Sequence, residues 1–255
     1  MLAVGDQEFG YFEPSAGFAR PEACVQAQLD LAKKYGATLH TGEIVQRFES
    51  HAHGVRVITD KADYDARKLI IAAGAWAPEL VGPELASLFK IYRQVLYWFQ
   101  PNNIEAYRSD RFPVFIWELP NSKQGIYGFP AIDGASGGVK IATESFAIAT
   151  DPHAASRDVS ADEIAEMYDR YVAPFFPDMT PACVKTAVCL YTVTPDFGFV
   201  IDHHPGSERV MVASPCSGHG FKHSAAIGEA LAEWATNGES RHDLSPFGLA
   251  RFGGR

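Results

Sequence analysis

Apolar and polar positions alternate with period two over residues 54–59, Gly-Val-Arg-Val-Ile-Thr, the mark of a strand with one buried face. Thr38-Leu39-His40 and residues 43–48 read as neighbouring strands. Leu69-Ile-Ile-Ala-Ala73 is apolar throughout, which predicts a buried strand. Residues 22–35 carry Ala23, Val25, Ala27, Leu29, Leu31 and Ala32, dense enough for a helix. Pro21 suits its first turn and Gly36 its end. Residues 9–19 read as a strand and a turn. From 94 to 150, aromatic and β-branched residues predict further strands, interrupted by turns at Asn102-Asn103 and Asn121-Ser122. Ser160-Ala-Asp-Glu163 has the capping-box pattern; its helix should run to about Val172 and stop at Pro174. Two strand-like runs beyond Ala187 bracket a turn. The second leads into Cys216-Ser-Gly-His-Gly-Phe-Lys222, a glycine-rich elbow opening a helix over 225–234.

The 255 residues suffice for one large domain or two smaller ones. Apolar residues make up 47% and charged ones 21%, the balance of an ordinary globule. No apolar run reaches about 18 residues, so no membrane span is expected. The first residues lack a basic segment followed by an apolar one, so no signal peptide is expected. The formal net charge of −9 argues against a nucleic-acid partner. Cys24, Cys183, Cys189 and Cys216 form no CxxC pair, and a reducing, cytoplasmic setting follows. Cys24 and Cys183 read as buried small hydrophobes. His203, His204, His219 and His223 lack the spacing of a metal site, so none is expected.

A strand ending in Ser217-Gly-His-Gly220 at a helix start exposes backbone N–H groups and a positive helix end. That geometry suits a phosphate, a carboxylate or the electron-rich edge of a ring, and Lys222 adds a cation. On the residues alone, Lys222 is equally a solvated surface lysine, Tyr127 a core aromatic, and Cys189 a buried strand cysteine.

Cys189-Leu-Tyr191-Thr, the segment holding Asp196 and Asp202, and Ser217-Gly-His-Gly-Phe-Lys222 resemble the flavin-dependent amine oxidases of the monomeric sarcosine oxidase and N-methyltryptophan oxidase type. Cys189 and Lys222 stand 33 positions apart, a separation similar to that family's. Glu13-Pro-Ser-Ala-Gly17, Leu69 to Trp76 and Tyr92 to Phe99 resemble further family segments. The resemblance implies an FAD cofactor, a small amine or amino acid substrate and dioxygen. It implies that Cys189 carries the flavin through a thioether, with Cys216 the lower-ranked thiol. It gives Lys222 the substrate carboxylate, Tyr191 and Tyr127 the cavity, and Lys140 the reaction with oxygen. Strand alternation would set Lys140, Ala142, Glu144 and Phe146 on one face. Sarcosine oxidases have a histidine where this chain has Glu144, a carboxylate able to read a larger or more cationic amine or to pair with Lys140. Cofactor contacts fall, by resemblance, on Val45, Gly74, Ala75, Trp76, Gly218, His219, Gly220, Phe221 and Lys222. Gly74 would let the chain pass close to the cofactor.

A Gly-x-Gly-x-x-Gly fingerprint does not occur in the sequence. Gly218-His-Gly-Phe-Lys-His223 breaks that pattern at its last glycine. Family members carry the fingerprint ahead of the segment matching Glu13, so the chain is expected to be N-terminally shortened. Weak flavin binding and self-association through exposed sheet would follow. The expected fold is α/β (mixed α+β): an incomplete FAD-binding Rossmann-like domain over 21–92 and 186–255, and a substrate domain on a mostly antiparallel sheet over 1–20 and 93–185. The expected activity is oxidation of secondary amines or N-methyl amino acids, giving imine or aldehyde plus hydrogen peroxide. The alternatives are a glycine or D-amino acid oxidase-like activity, and a non-catalytic fragment unable to hold FAD alone.

Overall fold

In chain order the elements are α1 Pro21–Lys34, β1 Val45–His51, β2 Gly54–Thr59, β3 Asp63–Ala66, β4 Leu69–Ile71, and the single turns α2 Ala77–Leu80 and α3 Pro83–Ala86. There follow β5 Lys90–Pro101, β6 Phe115–Glu118, β7 Gly125–Phe129, β8 Val139–Thr143, α4 Ala161–Met167, β9 Met179–Val193, β10 Val200–His204, β11 Ser207–Ser214 and α5 Ser224–Asn237. This computed structural model describes residues 2–119, 122 and 124–253. The chain divides into two units, Met1–Phe18 with Tyr92–Leu190, and Ala19–Ile91 with Tyr191–Arg255.

In the unit Ala19–Ile91/Tyr191–Arg255, Pro21 opens α1. Gly36, at φ +94°, lets its own N–H reach Lys33 O (3.0 Å) while Ala37 N–H reaches Ala32 O (2.9 Å), a Schellman close. No residue of α1 is buried, and Val25, Leu29 and Leu31 are exposed. β1, β2 and β3 form an antiparallel sheet, and β2 buries Val55 and Ile58 while exposing Arg56. In the second sheet β11 is antiparallel to β10 and parallel to β4. Val210 and Val212 of β11 pack with Val55, Ile71, Val81 and Phe89, whereas Met211 between them packs with Ile227 and Trp234 of α5. Both faces are covered, which is why this strand is written in consecutive apolar residues.

The unit Met1–Phe18/Tyr92–Leu190 is built on a sheet ordered β6-β7-β8-β5-β9, antiparallel from β6 through β5. Phe99, Ile126, Val139, Ile141, Val172 and Phe176 form its core. α4 starts on the expected capping box: Glu163 N–H donates to Ser160 Oγ (3.2 Å) and Ser160 N–H to Glu163 Oε2 (2.9 Å). It ends at Met167, and a π-helical turn continues it through Tyr168–Val172. Arg93 ties α4 to β5 through Glu163 at 2.6 Å. No helix among the described residues is long and apolar enough to cross a membrane.

Four local expectations are corrected. Residues 9–19 form no strand; Glu13 instead accepts from Ser15 N–H (3.0 Å) and Ser15 Oγ (2.6 Å) to hold a turn. Residues 38–40 form none either. Neither stretch joins a sheet among the described residues, and a strand without ladder partners leaves its backbone groups unpaired. β4 is three residues long with only Ile71 buried, since it pairs along one edge alone among the described residues. β8 stops at Thr143 because the buried Gln94 side chain takes over at Ser145. It accepts from Ser145 N–H (2.9 Å) and donates to Ser145 O (2.6 Å). The Asn102-Asn103 turn follows β5; Asn121 lies outside the described residues.

Candidate active site

β11 ends at Ser214 and the chain turns sharply through Ser217 (φ +50°) and Gly218 (φ +84°). Ser217 is buried; its N–H donates to Thr192 O (2.8 Å) and its hydroxyl to Gly198 O (3.0 Å). His219 N–H closes a turn onto Cys216 O (3.2 Å). A Cβ on Gly220 would stand 1.5 Å from the Pro215 carbonyl oxygen, so the elbow folds back on itself only with glycine there. A 3-10 turn, Phe221–His223, then feeds α5. The amides of Gly218, Phe221 and Lys222 make no hydrogen bond among the described residues, so the elbow presents free donors at the positive end of a helix. The exposed Lys222 donates one Nζ proton to His219 O (3.0 Å). The His219 ring stacks on Phe199 (centroids 4.8 Å), with Nε2 3.0 Å from Phe197 O.

β4 runs parallel to β11 with Ile71 opposite Val212. The Gly74–Trp76 turn after β4 and the elbow after β11 therefore stand at the carboxyl ends of two parallel strands, where open α/β sheets place ligands. Gly74 has φ +53° and a Cβ there would meet nothing within 4 Å. Within the chain, then, its lack of a side chain answers a left-handed backbone, not a close approach. Ala75 is buried and Trp76 exposed. Val45 opens β1, in the other three-stranded sheet, and is exposed.

In the other unit, Lys140 of β8 sits opposite Trp98 of β5 and Phe129 of β7. Its Nζ lies 4.6 Å from the Phe129 ring centre, 5.6 Å from Trp98 and 5.8 Å from Tyr127. Tyr127 and Lys140 are thus brought together over a wall of aromatic faces, which attract an ammonium electrostatically. Glu144 is exposed and lies past the end of β8, its carbonyl accepting from the Gln124 amide. The single face expected for Lys140, Ala142, Glu144 and Phe146 therefore ends at Ala142, because Gln94 draws the chain out of the ladder.

Cys189 is a free, half-buried thiol in β9. Tyr191, where the chain returns to the unit Ala19–Ile91/Tyr191–Arg255, is two positions on in the same strand, hence on the same face. Cys24 and Cys183 are half-buried, not buried. Burial pushes the Cys183 and Cys216 thiols up from their ordinary value; at Cys216 the Ser214 hydroxyl pulls weakly the other way.

Two sets of residues were not singled out in the sequence. Trp98 and Phe129 become neighbours of Lys140 only through strand register. Thr194 and Arg251 brace the elbow's neighbouring turn. The Arg251 guanidinium holds the Asp196 carboxyl well below the usual carboxylate range, with Gly198 N–H and Thr194 adding to it.

Residues 3–234 match the family described as DAO, FAD dependent oxidoreductase, and the chain belongs to it. It is 40% identical over 96% of its length to the monomeric sarcosine oxidase of Streptomyces avermitilis, and spans 64% of that protein. To the N-methyl-L-tryptophan oxidase of Shigella dysenteriae serotype 1 it is 34% identical over 98% of its length, spanning 65% of that protein. The fold is also that of NikD, described as an unusual amino acid oxidase, in its open form, with a TM-score of 0.72 at 23% identity over 89% of this chain and 59% of that one. Glycine oxidase from Geobacillus kaustophilus gives a TM-score of 0.62 at 22% identity over 86% and 55%. The mixed α/β fold with antiparallel sheets expected from the sequence is the one observed.

Proposed function

We propose that the chain acts in an FAD-dependent oxidation of secondary amines, N-methyl amino acids foremost, giving an imine or aldehyde and hydrogen peroxide. The observation that carries this reading is its likeness, over nearly all of its length, to oxidases named for sarcosine and N-methyl-L-tryptophan. The unit Ala19–Ile91/Tyr191–Arg255 would face the nucleotide and the unit Met1–Phe18/Tyr92–Leu190 the amine.

The residues present suit FAD. Gly220, where any Cβ would strike the Pro215 carbonyl, lets the elbow fold back so that its amides stay open. The free amides of Gly218, Phe221 and Lys222 suit the electron-rich edge of a ring. Thr192 Oγ1 is buried without a hydrogen-bond partner among the described residues. FAD, when bound, supplies the acceptor for a hydride equivalent and hands the electrons to dioxygen. Gly74, Ala75, Trp76 and the elbow from Gly218 to Lys222 would line its site, with Val45 toward the adenine end.

Cys189 would hold the ring system through a thioether, because a thiolate is the nucleophile such a bond needs. Cys216 is the poorer candidate, since burial disfavours its thiolate. Lys222 keeps two Nζ protons beyond the one given to His219 O, enough for a substrate carboxylate. Tyr191 would present its hydroxyl from the face of Cys189, and Tyr127 its own beside Lys140. The Lys140 ammonium would stabilise negative charge growing on oxygen. Glu144 would attract a cationic amine.

The test is peroxide release by the flavin-loaded protein on sarcosine, other N-methyl amino acids, glycine and D-alanine. The N-methyl substrates should have kcat/KM higher by about tenfold or more. Turnover of glycine or D-alanine alone would move the chain to the rival amino acid oxidase reading.

A further inference from the structure

We propose that Arg251 is a positioning residue for the glycine elbow: it braces the turn 194–199, and that turn braces Ser217 and His219. This rests on reading the elbow as the flavin and substrate site.

The contacts form one connected path within a single unit. Arg251 Nε donates to Asp196 Oδ2 (2.7 Å), Nη2 to Phe199 O (2.6 Å) and, more weakly, to Asp196 Oδ1 (3.4 Å), and Nη1 to Gly248 O (2.9 Å). Asp196 Oδ1 also accepts from Gly198 N–H (3.0 Å). The buried Thr194 hydroxyl lies 2.9 Å from Asp196 Oδ1 and 2.8 Å from Gly198 O, and its one proton serves one of them at a time. Gly198 O, fixed in this way, accepts from Ser217 Oγ (3.0 Å). The neighbouring Phe197 O faces His219 Nε2 at 3.0 Å, and His219 O in turn receives the Lys222 ammonium. The C-terminal segment is tied down separately by Leu249 N–H on Asp202 Oδ2 (2.7 Å).

The backbone points to the same pair of segments. Phe197 (φ +58°) and Ser217 (φ +50°) are the non-glycine residues with left-handed conformations among those described. One lies in each segment. Such conformations persist where their surroundings over-determine them, and they cluster at functional sites. The planar guanidinium, spanning a carboxylate and two carbonyls at fixed angles, supplies that constraint. A lysine would keep the ion pair and lose the fork.

The experiment is amide hydrogen exchange on the wild type, Arg251→Ala and Arg251→Lys, joined to steady-state kinetics of the flavin-loaded enzyme. In Arg251→Ala the amides of Gly198 and Ser217 should exchange faster by roughly tenfold while those of Val210 and Val212 keep their rates. Arg251→Lys should fall between. In the flavin-loaded enzyme KM for an N-methyl amino acid should rise about tenfold with kcat within about twofold, because Lys222 is displaced from the carboxylate. Unchanged exchange at Ser217, or a loss spread equally over Val210 and Val212, overturns the proposal. So does local loss of protection with KM unaltered. A wild type that oxidises no amine, with the local loss still present, overturns the proposed function and leaves the brace standing.

Discussion

Replacing Gly220 by alanine should cost about 4 kcal/mol or more, the range reserved for substitutions a fold cannot absorb. The reason is the Pro215 carbonyl, 1.5 Å from where the new methyl would sit. A carbonyl in the backbone of the same elbow cannot swing aside as a side-chain tip can. It moves only if the Ser217 N–H to Thr192 O bond lengthens, and Ser217 then loses its seat against Gly198. Gly74→Ala is the matched control. Open space surrounds that position, so its cost is the left-handed backbone alone, about 1–2 kcal/mol. Urea unfolding of both variants reads the difference. Equal midpoints for the two would show that the elbow relaxes freely, contrary to the geometry.

Lys140→Met should slow reoxidation of the reduced flavin by dioxygen about 100-fold, the magnitude lost when one fixed charge-stabilising group is removed. The ammonium is held against Phe129, Trp98 and Tyr127. The methionine stem can lie along the same rings, so the variant deletes charge with little loss of packing. Lys140→Arg keeps the charge on the aromatic faces and should retain most of the rate. Mixing anaerobically reduced enzyme with oxygenated buffer isolates this step from amine oxidation. A Lys140→Met rate within about twofold of wild type would remove Lys140 from the oxygen reaction.

Local chemistry carried much of the fold in the sequence itself. Ser160 and Glu163 mark a helix start because their side chains satisfy each other's backbone. Gly36 marks a helix end because it alone in that stretch tolerates the left-handed close. Residues 54–59 alternate in sequence and do form β2, but the single covered face is not found, since Val55 and Ile58, on opposite faces, are both buried. What failed needed partners far along the chain. Residues 9–19 have strand-like composition but join no sheet among the described residues, and Gln94 ends β8 from 51 residues away. The candidate site divides the same way. The elbow's glycines were legible as a turn at a helix start, yet the Gly220 clash with Pro215 depends on the folded-back path. Arg251 left no local signal, since its partners at Asp196 and Phe199 are more than 50 residues earlier. The roles proposed for Cys189 and Lys222 rest on family resemblance, because a strand cysteine and a surface lysine look ordinary by themselves.

The covalent anchor proposed at Cys189 is the most direct point of attack. Protein exposed to FAD is denatured, digested and searched by mass spectrometry for peptides carrying flavin. A thioether survives denaturation, so even a small loaded fraction leaves its mark. The expected result is a flavin-sized mass on the peptide bearing Cys189, absent from Cys189→Ser. Flavin on the Cys216 peptide, flavin released entirely on denaturation, or no flavin taken up would contradict it.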